Sequence, residues 1–144
     1  MNRILRWAAA PLAVAALAGT TLLPAASASA ATGATAMTTY TIELISLTCN
    51  KKQDVDKDEP QLFIDGVSKF GPGSMKKGDT AILTGRSATF TGTATMELFE
   101  VDNGQDDFLG SAQVTSAQAD GNVHVATFDF RNHAKYTLLY EVTS

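Results

Sequence analysis

Met96-Glu97-Leu98-Phe99-Glu100-Val101-Asp102-Asn103-Gly104-Gln105-Asp106-Asp107-Phe108-Leu109-Gly110-Ser111 reads as strand, acidic loop, strand. Met96, Leu98 and, at the strand's end, Glu100 fall on one side of an extended chain, with Glu97, Phe99 and Val101 on the other. This is the period of two that a strand imposes. Extended chain resumes at Phe108-Leu109-Gly110. Glu100, Asp102, Asp106 and Asp107 place four carboxylates within eight positions, beside an Asn-Gly pair that turns the backbone tightly. Like charges held together repel, so a fold that gathers them gains when a hard divalent cation neutralises them. The pattern marks a candidate calcium site, and its alternative is a solvated acidic loop.

Upstream lies a second acidic loop over residues 50–60, with Asp54, Asp56, Asp58 and Glu59 within six positions and Pro60 fixing the chain for re-entry into a strand. The strand before it, 40–49, carries Tyr40, Ile42 and Leu44 on one side and Ile45, Leu47 and Cys49 on the other. That change of face near Ile45-Ser46 marks a bulge. After Pro60 the pattern predicts strands at 61–64 and 67–70 around an Asp65-Gly66 hairpin turn. Further strands follow at 80–83, 88–91, 94–101, 108–114, 123–130 and 136–142. Eight or nine short strands, regular turns and no helical period define an all-β chain, an antiparallel β-sandwich over residues 39–144.

Residues 1–30 have the composition of a secretory signal peptide: Arg3 and Arg6, an apolar run over 8–23, and small residues ending at Ala30. The small, aperiodic residues 31–38 read as a flexible leader. Removal of the first 30 residues leaves 114, enough for one domain with a real core, at a net charge of −6. The expected product is secreted and extracellular. Its acidity and lack of a basic run exclude nucleic acid as a partner. Cys49 has no second cysteine to pair with and is expected on the inward face of its strand, since free Cys is among the most buried residue types.

The two acidic loops and their flanking strands resemble the C2 domain family of calcium-dependent β-sandwiches. In that family a strand leads into a loop with one carboxylate, a second two residues later, and a third just before an aromatic, an aliphatic and a Gly. Here those positions are Glu100, Asp102 and Asp107, followed by Phe108-Leu109-Gly110, with Asp106 adjoining the third. The family's earlier loop supplies two ligand aspartates before a Pro-containing re-entry, which matches Asp54 with Asp58, or with Asp56 in its place. The chain departs from the pattern in three ways: a Glu at the first position, a central loop about one residue short, and closer spacing of the earlier pair. The resemblance implies a divergent C2-like sandwich in which both loops share calcium, one wall from Glu100, Asp102 and Asp107 and the other from Asp54 and Asp58 or Asp56.

Other chemistries find little support. One Cys and two histidines without ligand spacing argue against a soft metal. Neither His124 nor His133 adjoins a nucleophile motif, and the carboxylates are expected in polar loops rather than in the apolar surroundings a general acid requires. The chain is therefore expected to be non-enzymatic: a calcium-binding module that meets an acidic surface or an extracellular protein partner through its acidic loops. Membrane docking has only Val55 as an apolar loop-tip residue. The alternative is an ion-free extracellular sandwich acting as an adhesin or as an inhibitor of a secreted enzyme.

Overall fold

The computed structural model describes residues 37–102 and 106–144. The expected signal peptide and most of the expected leader lie outside the described residues. Nine strands follow in order: β1 (Tyr40–Lys51), β2 (Pro60–Ile64), β3 (Val67–Phe70), β4 (Thr80–Ile82), β5 (Ser87–Phe90), β6 (Thr93–Glu100), β7 (Asp107–Thr115), β8 (Val123–Phe130) and β9 (Ala134–Thr143). A 3-10 turn, Ser116–Gln118, separates β7 from β8. The strands form two antiparallel sheets, one ordered β4-β1-β9-β8 with β5 also paired to β1, the other ordered β3-β2-β6-β7.

Alternation explains the two layers. Along β6, Ala94, Met96, Leu98 and Glu100 are buried while Thr95, Glu97 and Phe99 are not. Ala134, Tyr136, Leu138, Tyr140 and Val142 of β9 face them from the opposite sheet. β1 carries the bulge expected near Ile45-Ser46, and the apolar residues on either side of it, apart from the partly buried Tyr40 and Ile45, come to the same inward side. Ile42, Leu44, Leu47 and Cys49 are all buried, because a register shift between Leu44 and Ser46 inserts one residue and returns the chain to the inward phase. Asp65 and Gly66 adopt φ of 47° and 75°, the left-handed pair that a two-residue hairpin of the right twist needs.

Cys49 is fully buried, opposite Tyr136 in the β1–β9 ladder. Burial pushes its thiol up from the ordinary range, so little thiolate exists at neutral pH. Native protein should therefore react with a thiol reagent far more slowly than protein in denaturant, and equal rates would place Cys49 at the surface.

Candidate metal centre

The β2–β6 ladder decides where the acidic loops meet. Pro60 pairs with Glu100, so the chain enters β2 from the first loop beside the point where it leaves β6 into the second. Two backbone-linked contacts close the junction: the Val101 N–H donates to the Glu59 carbonyl at 3.1 Å, and the Glu59 N–H donates to Glu100 Oε1 at 3.1 Å. Asp54, Glu100 and Asp102 each bring a carboxylate oxygen to within 4.8 Å of the others. Two ligands of one calcium lie at most about 4.6–5.2 Å apart, twice the Ca–O distance, so the spacing suits a shared ion.

The first loop is folded around Asp58. Its carboxylate is fully buried: Oδ1 accepts the N–H groups of Gln53 and Asp54 at 2.9 Å each, and Oδ2 accepts the Gln53 N–H at 2.9 Å and the Tyr136 hydroxyl at 2.6 Å. The Asp58 backbone also pairs with Met75 in both directions. Lys52 Nζ donates to the carbonyls of Asp54 and Val55. Asp54, one of the first-loop aspartates that the resemblance implies as a ligand, is thus positioned from both sides.

The structure brings together three of the seven sequence-predicted residues and distributes the rest. Asp58 holds the loop from below, its oxygens shared among the donors above. Asp107 begins β7 and accepts a hydrogen bond from Gln53 Nε2, which ties the two loops together. Asp56 is exposed, and Asp106 is exposed on the other side of its loop, where it lines a cavity with Phe63, Glu97 and Phe99. Two residues of the site carry no signal in a linear reading. Gln53 is an amide among charges, and Tyr136 lies 78 positions from its partner Asp58.

Glu100 corrects the expectation that the carboxylates all sit in polar loops. It is the last inward position of β6 and is completely buried, with Oε2 finding no hydrogen-bond partner among the described residues. Burial, and then the negative charges of Asp102, Asp54 and Asp58, push its carboxyl up to about 7, against the single N–H of Glu59 that opposes the shift. Burial also raises Asp54, followed by the charges of Asp102, Asp58 and Glu59, with Lys52 opposing. A hard cation would reverse this logic, because it neutralises the cluster and supplies Oε2 with a partner.

A scan against protein-family models finds no match, and a search of curated proteins finds no relative in sequence. Among solved structures the chain is similar to the two C2 domains of extended synaptotagmin 2, at a TM-score of 0.51 and 17% identity over 94% of this chain and 47% of that one. It thus spans about half the length of that structure. Weaker likenesses are a structure titled as a C2 domain, at a TM-score of 0.43 and 11% identity over 74% of this chain and 98% of that one, and human GIVD cytosolic phospholipase A2 in complex with an inhibitor and terbium chloride, at 0.46 and 11% over 74% and 17%. The chain is C2-like in fold.

Two outcomes check this geometry. In chelator, Glu100 binds a proton in the folded state at a pH where the unfolded carboxyl, at its ordinary 4.5, has lost it. The folded state is then favoured at low pH, and this stabilisation is lost as pH rises through about 7, by up to about 3 kcal/mol in all. Denaturant titrations at pH 5 and pH 8 should show that loss in wild type relative to Glu100→Gln, and parallel pH profiles would contradict it. Tyr136→Phe removes one of the Asp58 donors in a buried site and should cost about 1–3 kcal/mol, read as a fall in denaturation midpoint.

Proposed function

We propose that this chain is a secreted, non-enzymatic calcium-binding module, and that Asp54, Glu100 and Asp102 are the carboxylates that hold the ion. The observation that carries the reading is Glu100: a fully buried carboxyl with one oxygen unpartnered among the described residues, set among other carboxylates. An empty cluster of this kind is self-repelling and leaves a buried acceptor unsatisfied, and a single hard cation answers both costs. Gln53 Oε1, also buried and without a partner among the described residues, adds a neutral oxygen on the first loop. Secretion is supported by the composition of residues 1–30.

Three carboxylates fall short of the six to eight oxygens calcium takes, so water and oxygens from outside the domain complete the shell. An acidic surface or an acidic segment of an extracellular protein supplies such oxygens, and the ion bridges two partners that would otherwise repel. A lipid surface is the weaker partner. Val55 is 94% exposed at the tip of the first loop, a lone apolar side chain among charged neighbours.

At dissociation constants of about 0.1–1 mM, typical of extracellular modules, about 2 mM free calcium stabilises the fold by roughly 0.6–1.8 kcal/mol. The melting temperature should rise by about 3–12 °C for a domain of this size. Magnesium, which demands tighter octahedral geometry, should do less. Asp54→Asn/Asp102→Asn should lose most of the calcium response and, in chelator, melt at or above the wild-type temperature, since two repelling charges are gone. A wild-type melting temperature that stays fixed between chelator and calcium removes the ion from the account.

A further inference from the structure

The outer face of the β3-β2-β6-β7 sheet carries a feature that the acidic loops do not use. Phe63 of β2, Phe99 of β6 and Phe108 of β7 form a row across three strands, since Phe63 pairs with Glu97 and Phe99 with Phe108 in the two ladders. Phe63 and Phe99 meet edge to face, with centroids 5.6 Å apart and planes at 88°, and Phe99 and Phe108 lie 5.3 Å apart at 58°. Beside them lies a shallow cavity, largely open to solvent, of about 280 Å³, lined by Phe63, Gly66, Glu97, Phe99 and Asp106. Phe108, 44% exposed, supports Phe99 from the far side.

This is an electronegative recess. The faces of aromatic rings attract cations, and Glu97 and Asp106 add two carboxylates that form no ion pair with any described residue. A chain of net charge −4 adds a favourable long-range field. Rings at 88° and 58° share no plane, so together they offer no continuous flat platform to an extended planar ligand. A compact, rounded cation meets inclined rings from several sides, as alkylated ammonium groups do in aromatic cages. A primary ammonium is strongly hydrated and resists a mostly apolar recess, whereas methyl groups on nitrogen spread the charge and prefer to leave water.

We propose that this cavity is a binding site for the quaternary ammonium group of a small soluble solute of the choline type. Its volume lies just below the range of ordinary ligand pockets, about 300–1,000 Å³, which suits a head group of few atoms. The same group on a phospholipid carries a phosphate beside it, which Glu97 and Asp106 repel. Glu97 and Asp106 neutralise the cation, Phe99 gives it a ring face, and Phe63 closes the side.

The test is a nuclear magnetic resonance titration of the purified protein in chelator, which keeps the outcome independent of calcium. Choline chloride is compared with 3,3-dimethylbutan-1-ol, its uncharged isostere, at constant ionic strength. Choline should shift the amides of Phe63, Glu97 and Phe99 saturably, with affinity at least about tenfold above the alcohol. Glu97→Gln/Asp106→Asn should weaken choline by about tenfold or more, and Phe99→Leu, which keeps an apolar side chain at the position, should weaken it while leaving the thermal unfolding transition cooperative. Absence of saturable shifts to about 50 mM choline, a weak interaction by any standard, overturns the proposal. Equal affinity for the alcohol, or wild-type affinity in a folded Phe99→Leu, does so too. Sedimentation with phosphatidylcholine vesicles without a response to free choline overturns the assignment to a soluble solute.

Discussion

The buried carboxylate of Asp58 is the constraint on which the acidic end of this sandwich depends. A charge taken out of water is costly unless hydrogen bonds replace its hydration, and here backbone N–H groups and a tyrosine hydroxyl do so. Because two of those donors belong to consecutive residues of a loop with no regular structure, satisfying the charge also dictates the loop's path. Because the third belongs to β9, the loop is tied across the core to the opposite sheet. Asp58 is therefore a positioning residue: it fixes the backbone of Asp54, and with it one side of the cluster.

Glu100 is the counterpart that is not satisfied. Both carboxylates are wholly buried, yet Asp58 has donors for both oxygens and Glu100 a backbone donor for one. The difference shows in its proton affinity, which burial and the surrounding charges raise to about 7. A domain that buries one acid with full compensation and its neighbour without it has placed an unmet electrostatic demand at one point of its structure. The hydrogen bonds around Asp58, the Glu59 contacts and the Gln53–Asp107 link all hold that point in place, so the demand is met more readily by a ligand than by rearrangement.

The acidic segment before β7 divides its charges between two sides of one sheet. Asp102 joins the cluster, Asp107 is tied to Gln53, and Asp106 projects toward the aromatic row on the outer face. Strand geometry imposes the division. Glu100 and Phe99 are neighbours on β6 and point to opposite faces, so a loop that starts there borders both. A β-bulge between Leu98 and Phe99 in the β6–β7 ladder brings Phe108 opposite Phe99 and completes the row.

The amino-acid sequence by itself determined the all-β class, most strand positions, the Asp65-Gly66 turn, the bulge in β1 and the existence of two acidic loops between strands. These follow from local rules: side-chain period, turn chemistry and the exclusion of Pro from strand interiors. That Glu100 shares a side with Met96 and Leu98 was legible too, although the sequence placed it with the carboxylates of a polar loop. Its burial without a second partner was not, because alternation states which way a side chain points and is silent on what meets it there. The tertiary structure alone decided that Asp54 joins Glu100 and Asp102 with neither Asp58 nor Asp56 beside it, that Asp58 serves the loop, and that Asp106 turns to the other face. Those outcomes depend on the pairing of Pro60 with Glu100 and on a tyrosine 78 residues from Asp58. Carboxylates in a row look alike along the chain, and they become different only when the fold gives one a set of donors, another a share of repulsion and a third a wall of aromatic rings.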